Sequence, residues 1–140
     1  MIVATDQELR ALLERSKTVA VVGASPNAAR PSRGVFDALI HAGRYAVAPI
    51  NPTVNEIGGV PAFATLMAYA AVNGAPDIVD VFRNPVDAPE VTQEAIAAGA
   101  KAIWFQLGVV NDDAIAAADA AGLDVVVDRC IKIEIARLLR

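Results

Sequence analysis

Five short apolar runs, each separated from the next by enough chain for a helix, constrain the fold of this 140-residue chain more than any other feature. The runs cover residues 18–23, 45–50, 77–82, 101–106 and 123–128. The first run is rich in β-branched residues and ends in Gly23, as is typical of a strand buried on both faces. Strands that alternate with helices favour right-handed crossovers and a parallel sheet.

The segments between these runs carry helix signals. Thr5 and Glu8 have the spacing of a capping box, which predicts a helix before the first strand. Further helices are predicted over residues 34–42, 85–98 and 112–121, and in a last segment that ends in Arg137 and Arg140. Residues 53–76 predict a loop and an irregular helix, and Pro49 places the second strand at a terminus or edge of the sheet. We therefore expect an α/β fold, a single doubly wound Rossmann-like domain over residues 1–140 with a five-stranded parallel sheet and helices on both faces.

Charge and composition exclude several classes of protein. The net charge is −4, which argues against a general affinity for nucleic acid or for an anionic membrane. The first 15 residues are too charged for a secretory signal, and no stretch has the length of a membrane span, so a cytoplasmic location is expected. The single cysteine, Cys130, excludes an internal disulfide and a multi-cysteine metal site.

A ligand site is expected at one edge of the sheet. Open parallel sheets bind ligands outside the carboxyl ends of their strands, near the point where the strand order reverses. The segments at these ends are Gly23–Ser25, Asn51–Pro52, Arg83–Pro85, Leu107–Gly108 and Arg129–Cys130. After the first strand, Gly23 permits close approach of a ligand, Ser25 offers a hydroxyl, and the next helix directs its free N–H groups to the same place. This geometry suits a pyrophosphate.

The usual signals of a nicotinamide-dinucleotide enzyme are absent. The loop reads Gly-Ala-Ser-Pro-Asn from Gly23 and has no second glycine in the G-x-G-x-x-G register. After the second strand, where an acidic residue would bind the ribose hydroxyls, the chain has Asn51 and Pro52.

Arginine is concentrated at the same edge. Arg30 and Arg33 lie in the predicted first loop, and Arg83 follows the third strand. A guanidinium group matches the oxygens of a phosphate, so three arginines here favour a local phosphate site in an otherwise acidic protein. The alternative is that each is an ordinary solvated surface residue.

Six motifs in order carry a family resemblance that covers nearly the whole chain. They are Val19–Ser25, Arg30–Ser32, Pro49–Pro52, Val79–Arg83, Trp104–Gly108 and Asp128–Cys130. In these segments the chain resembles the small bacterial and archaeal CoA-binding proteins. It is also similar to the N-terminal CoA-binding domain of the succinyl-CoA synthetase α subunit, where catalytic parts missing here are attached.

The resemblance implies coenzyme A as the ligand and assigns its site. It implies that the phosphates are held by Gly23, Ala24, Ser25, Arg30 and Ser32. It further implies that the rest of the groove is lined by Asn51, Pro52, Phe82, Arg83, Gln106 and Gly108. Members of the family often have histidine where this chain has Ile135, so a role that needs that imidazole is in doubt here.

Three functions remain open from the sequence. The first is a stand-alone module that binds CoA or acyl-CoA, without catalysis, as a carrier or sensor. The second is an enzyme on the same fold, such as an NAD(P)-dependent oxidoreductase, although no nucleophile–base pair is found beside Ser25 or Ser32 and the only histidine, His41, lies near a helix end. The third is a subunit that supplies CoA to a separate acyl-CoA ligase. Self-association is also open.

Two residue types have competing interpretations. Cys130 directly follows the fifth strand, so its thiol could face the groove and form a mixed disulfide with CoA, or it could simply be a small buried residue. An unchanged intact mass after incubation with oxidised CoA would contradict the disulfide. For Asp80 and Asp128, structural hydrogen bonding is the expected role.

Overall fold

The computed structural model describes residues 1–139 and contains six α-helices and seven strands. The strands are β1 (Thr18–Val22), β2 (Ala46–Ile50), β3 (Glu56–Ile57), β4 (Val60–Pro61), β5 (Ile78–Val81), β6 (Ala102–Phe105) and β7 (Asp124–Val127). The helices are α1 (Asp6–Arg15), α2 (Pro31–Ala42), α3 (Leu66–Asn73), α4 (Ala88–Ala97), α5 (Asp112–Ala120) and α6 (Ile131–Leu138).

Five strands form one parallel sheet in the order β2-β1-β5-β6-β7. The predicted α/β Rossmann-like fold is therefore confirmed. The chain first moves outward from β1 to β2 and then returns to the other side of β1 with β5, so the strand order reverses between β1 and β5. Pro49 lies on β2, an edge strand, where the missing N–H is tolerated, as predicted.

Alternate residues of each strand pack into two hydrophobic cores, one on each face of the sheet. On one face, Val19 and Val21 pack with α1, α2 and α6. On the other face, Ala20 and Val22 pack with α3, α4 and α5. Adjacent residues of a strand point to opposite faces, and Trp104 and Phe105 accordingly lie in different cores, both fully buried.

Helix α2 begins three residues earlier than predicted. Arg30 is extended and precedes the helix, and Pro31 occupies its first position. Proline suits that position because its fixed φ matches the helix and its missing N–H would have no partner there. The loop after β1 is therefore shorter than expected, and Ser32 lies in the first turn of α2.

Two other segments differ in detail from the prediction. Residues 53–65 contain a small antiparallel hairpin, β3–β4, which turns at Gly58 and Gly59, both with positive φ. The predicted helix over residues 85–98 begins instead with a 3-10 turn, Pro85–Asp87, before α4. The N–H of Ala88 bonds to the Pro85 carbonyl, and Pro89 has no N–H with which to make the α-helical bond to it.

The chain termini complete this description. Arg137 lies in the last turn of α6, as predicted, whereas Arg140 is outside the described residues. Among residues 1–139, no helix is both long enough and apolar enough to cross a bilayer.

Candidate functional site

A cavity of about 650 Å³ opens at the carboxyl ends of β1, β5 and β6, at the reversal of strand order. Its position is the one at which doubly wound sheets bind ligands. Seven of the residues predicted from the sequence line it: Gly23, Ser25, Arg30, Ser32, Phe82, Arg83 and Gln106. The remaining lining residues are Pro31, Val35, Asn84, Leu107, Val109 and Cys130.

Gly23 joins β1 to the cavity in a conformation that requires glycine. Its φ is +82°, and a Cβ at this position would lie 2.0 Å from the carbonyl oxygen of Phe82. Its N–H donates to the Ile50 carbonyl at 3.2 Å. Gly23 therefore allows the first loop to leave the sheet directly over the end of β5.

The loop between β1 and α2 is held by its own serines. The N–H of Ser25 donates to Ser32 Oγ at 3.1 Å, and the N–H of Asn27 donates to Ser25 Oγ at 3.1 Å. No side chain caps the N-terminus of α2, whose capping residue is Arg30. The first N–H groups of a helix lack intrahelical acceptors and attract anions. Here Pro31 has no N–H and the Arg33 N–H donates to the Arg30 carbonyl, so this end of the cavity offers an anion the Ser32 N–H and the positive end of the helix dipole.

Among the described residues, Arg30 and Arg83 supply the charged side chains of the cavity lining. Arg83 contacts Asp87, with 3.3 Å between Nη2 and Oδ2, and remains 42% exposed. Within residues 1–139, the guanidinium of Arg30 has neither an ion-pair nor a hydrogen-bond partner. Arg33, predicted as a third member, faces elsewhere: it donates to Asp37 Oδ1 at 2.9 Å and to the Pro26 carbonyl at 2.8 Å.

Gln106 and Cys130 bring the start of α6 to the cavity. Gln106 Oε1 accepts the Ile131 N–H at 3.0 Å, which leaves the amide NH₂ as the donor that this side chain offers to the cavity. Cys130 precedes α6 and is 9% exposed. Cys130 is thus a buried residue, and it also lines the cavity, as a residue whose thiol faces the groove would. The mixed disulfide stays a hypothesis.

Four predicted site residues do not line the cavity. Ala24 is fully buried, and its carbonyl accepts Asn51 Nδ2 at 2.9 Å. Asn51 Oδ1 accepts both the N–H and the hydroxyl of Thr53. Gly108 donates its N–H to Asp128 Oδ1 at 2.8 Å. Ala24, Asn51 and Gly108 therefore shape the loops around the cavity, whereas Pro52 is exposed and outside it.

Among the lining residues not predicted individually, Asn84 and Leu107 lie in segments singled out as strand ends. Pro31 was missed because α2 was expected to begin at residue 34, and Val35 was then expected in the first turn of that helix rather than beside the ligand. A helix start at Pro31, which the preference of proline for the first helical turn could have indicated, places Val35 one turn inside the helix, below the cavity. Val109 follows the β6 segment and carries no signal of its own.

The two aspartates behave differently. Asp128 accepts the Gly108 N–H, as expected. The expectation was wrong for Asp80, whose two carboxyl oxygens are buried without a hydrogen-bond partner among the described residues. It lies on β5 opposite Val21 and Trp104, and burial raises the pKa of this carboxyl well above its usual range.

Comparison with known proteins identifies the family. Residues 17–136 match the family model described as a CoA binding domain. The chain belongs to this family. It is 39% identical to the uncharacterized protein YneT of Bacillus subtilis over 126 residues, 90% of each chain. It is 36% identical to a hypothetical protein of Pyrococcus horikoshii, whose structure superposes with a TM-score of 0.91 and covers 98% of this chain and 94% of that one.

A larger protein of known structure contains the same fold. The dinucleotide-forming acetyl-coenzyme A synthetase 1 of Candidatus Korarchaeum cryptofilum superposes with a TM-score of 0.70 at 22% identity. The match covers 84% of this chain but 27% of the synthetase. At this identity the likeness concerns the fold alone.

Proposed function

We propose that this protein binds coenzyme A or an acyl-CoA in the cavity at the reversal of strand order, as a module without catalytic activity of its own. The phosphates would lie against the N-terminus of α2, beside Ser25, Ser32 and Arg30, and the rest of the ligand would run past Phe82 toward Gln106. The observation that carries this proposal is the cavity itself: within residues 1–139, the charged side chains that line it are two arginines, in a chain of net charge −4.

The charge of the lining supports a ligand with several phosphates. CoA carries a pyrophosphate and a further phosphate on its ribose, and guanidinium groups form paired hydrogen bonds with such oxygens. Arg30 has no competing partner among the described residues, whereas Arg83 would exchange or share its contact with Asp87. Arg30 is therefore the residue on which phosphate binding should depend most.

The residue after β2 argues against a nicotinamide dinucleotide as the ligand. In such enzymes an acidic side chain after the second strand holds the ribose hydroxyls. Here Asn51 stands in that place, and its amide bonds to the Ala24 carbonyl and to Thr53. Its oxygen already accepts two hydrogen bonds from Thr53, so this side chain lacks the free acceptor atoms with which a carboxylate binds the ribose hydroxyls.

The absence of catalysis is part of the proposal. Among the described residues, the lining holds no acidic side chain and no histidine, and His41 lies in the last turn of α2, at the far end from the cavity. A subunit that supplies CoA to a separate ligase would use the same site. Co-purification of a ligase subunit with the tagged protein would favour that role over a stand-alone carrier or sensor.

The test is calorimetric titration with CoA, NAD and NADP at moderate salt. We expect saturable binding of CoA alone. Arg30→Ala should weaken it by roughly tenfold to a hundredfold, because a charge-assisted hydrogen bond contributes about 1.5–3 kcal/mol. The matched control is Arg44→Ala, which makes the same charge change at an exposed position. Arg44 precedes β2 and therefore lies at the amino ends of the strands, whereas the cavity lies at their carboxyl ends.

Three outcomes would contradict the proposal in different ways. Binding of NAD or NADP but not CoA would favour the oxidoreductase. Equal loss of affinity in Arg30→Ala and Arg44→Ala would show that only net charge matters, and would place the phosphates elsewhere. No binding of any of the three ligands would leave the family and fold standing and remove the proposed function.

A further inference from the structure

The lining of the cavity changes from one end to the other: hydroxyl groups and Arg30 lie near the start of α2 together with Pro31 and Val35, Arg83, Asn84 and Gln106 follow β5 and β6, and the aliphatic side chains farthest from α2 come after Gln106. Ser25, Arg30 and Ser32 lie at the end of β1. Leu107 and Val109 line the opposite end, beyond β6. Because β5 separates β1 from β6, the two ends are about 10 Å apart, two strand spacings.

Exposed aliphatic side chains continue the apolar end outward. Leu107 is 60% exposed although it lines the cavity, and Val110, three residues on, is 45% exposed. Val86 is 81% exposed in the neighbouring loop after β5. A hydrogen bond of 3.0 Å from Asn111 Nδ2 to the Pro85 carbonyl holds the two loops together. We call Val86, Leu107 and Val110 the apolar rim.

From this polarity we infer that the preferred ligand is an acyl-CoA with an aliphatic chain of several carbons, rather than free CoA, and that the apolar rim receives the chain. The inference rests on the proposed function, because it assumes the phosphates at the β1 end. CoA is elongated, with its adenosine at one end, its thiol at the other and the pyrophosphate between them, so a ligand held by its pyrophosphate at α2 with the pantetheine arm extended along the cavity brings its acyl group toward β6 and beyond it. Continuity with the cavity favours this occupant over another protein.

The test measures affinity as a function of chain length, by calorimetry with CoA and its acetyl, butyryl, hexanoyl and octanoyl thioesters. Full burial of one methylene changes an equilibrium about fourfold. Because the apolar rim is open on one side, we expect a gain of roughly twofold per added methylene over the first few carbons. A flat series combined with saturable CoA binding would overturn this inference and leave the proposed function intact.

Variants of the apolar rim separate a chain contact from a general effect. The double variant Val86→Ser/Val110→Ser changes two side chains outside the cavity lining. It should leave the affinity for free CoA unchanged and reduce the gain per methylene. The control is Val72→Ser, which removes an equally apolar side chain that is 74% exposed. Val72 lies in the last turn of α3, before the amino end of β5 and away from the cavity, so this variant should keep the full gain.

The same samples test the competing occupant. If the apolar rim joins two copies of the chain instead, sedimentation should show a dimer that the double variant dissociates, and the chain-length series should be flat. That pair of results would overturn the inference. Failure of CoA and of every thioester to bind would overturn both the inference and the proposed function.

Discussion

Gly23 is the single residue whose replacement should damage the site most. Alanine there must adopt a φ of +82° and place its Cβ 2.0 Å from the Phe82 carbonyl oxygen, a backbone atom that cannot rotate away. We expect Gly23→Ala to lower the free energy of unfolding by about 3 kcal/mol or more, since overpacking adds to the cost of the left-handed backbone. CoA affinity should fall at least tenfold as the two strand ends separate. Urea denaturation and calorimetry measure both effects.

Gly43 provides the matched control. Its φ is +66°, but no atom lies within 4 Å of the position of an added Cβ. Gly43→Ala therefore carries only the backbone cost of about 1–2 kcal/mol, and it should leave CoA binding unchanged because it ends α2 far from the cavity. Equal destabilisation by the two substitutions would show that the contact with Phe82 is unimportant.

At this scale the sequence predicts which strand ends matter better than which side chains face the ligand. Gly23 and Arg30 follow from the rule that strand ends bind ligands, and both line the cavity. Asn51 lies at the correct strand end, yet its amide is used by neighbouring loops. The direction of a loop side chain depends on hydrogen bonds across the fold, which one sequence does not display.

The element of most unusual composition is β5, the middle strand of the sheet. All four of its residues are buried, and one of them is Asp80, which has no hydrogen-bond partner among the described residues. Burial raises the pKa of Asp80, so the folded protein keeps this proton to a higher pH than the unfolded chain, which releases it near pH 4. Stability from this group is fully present below that pH and is lost as pH rises toward the folded pKa.

The variant Asp80→Asn, which cannot ionise, tests this linkage. We expect the free energy of unfolding of the wild type to fall relative to the variant by up to about 1.4 kcal/mol per pH unit above pH 4, until the folded pKa is reached. Urea denaturation of both proteins at pH 4, 5.5 and 7 measures the difference. A difference independent of pH would show that Asp80 ionises normally in the folded state.

Elements with strong periodic patterns were predicted well, and short ones were not. The strands β1 and β5 to β7 are short apolar runs rich in β-branched or aromatic residues, and their length favours a buried strand over a helix. The hairpin β3–β4 has only two residues in each strand, too few for a pattern of alternation, although Gly58-Gly59 is a turn signal. The start of α2 was misplaced because Gly34 resembles a boundary, whereas Pro31 is the actual first residue.

On the scale of the whole molecule, the two cores share the same strands. Helices α1, α2 and α6 cover one face of the sheet and α3, α4 and α5 the other, so loss of either layer exposes the strands that support its counterpart. We therefore propose that the chain unfolds as one cooperative domain. The cavity, which draws on loops after β1, β5 and β6, should report on that same unit.

Trp104 makes this proposal measurable. It is the only tryptophan in the sequence, is fully buried in the core beneath α1, α2 and α6, and donates its indole N–H to the Arg129 carbonyl at 2.8 Å. Its fluorescence reports one face, whereas far-ultraviolet circular dichroism reports all helices. For a single domain, the two urea transitions should coincide.

CoA should then stabilise both faces equally. A ligand present at a hundred times its dissociation constant adds about 2.7 kcal/mol to the free energy of unfolding of the unit that binds it. The fluorescence and dichroism transitions should both shift by this amount, and Arg30→Ala should reduce the shift to about 0.4–1.4 kcal/mol at the same CoA concentration, since its affinity is expected to be tenfold to a hundredfold weaker. If CoA shifted the fluorescence transition fully but split the dichroism transition into a shifted and an unshifted part, the layer of α1, α2 and α6 would be a separate unit that holds the ligand without the layer of α3, α4 and α5.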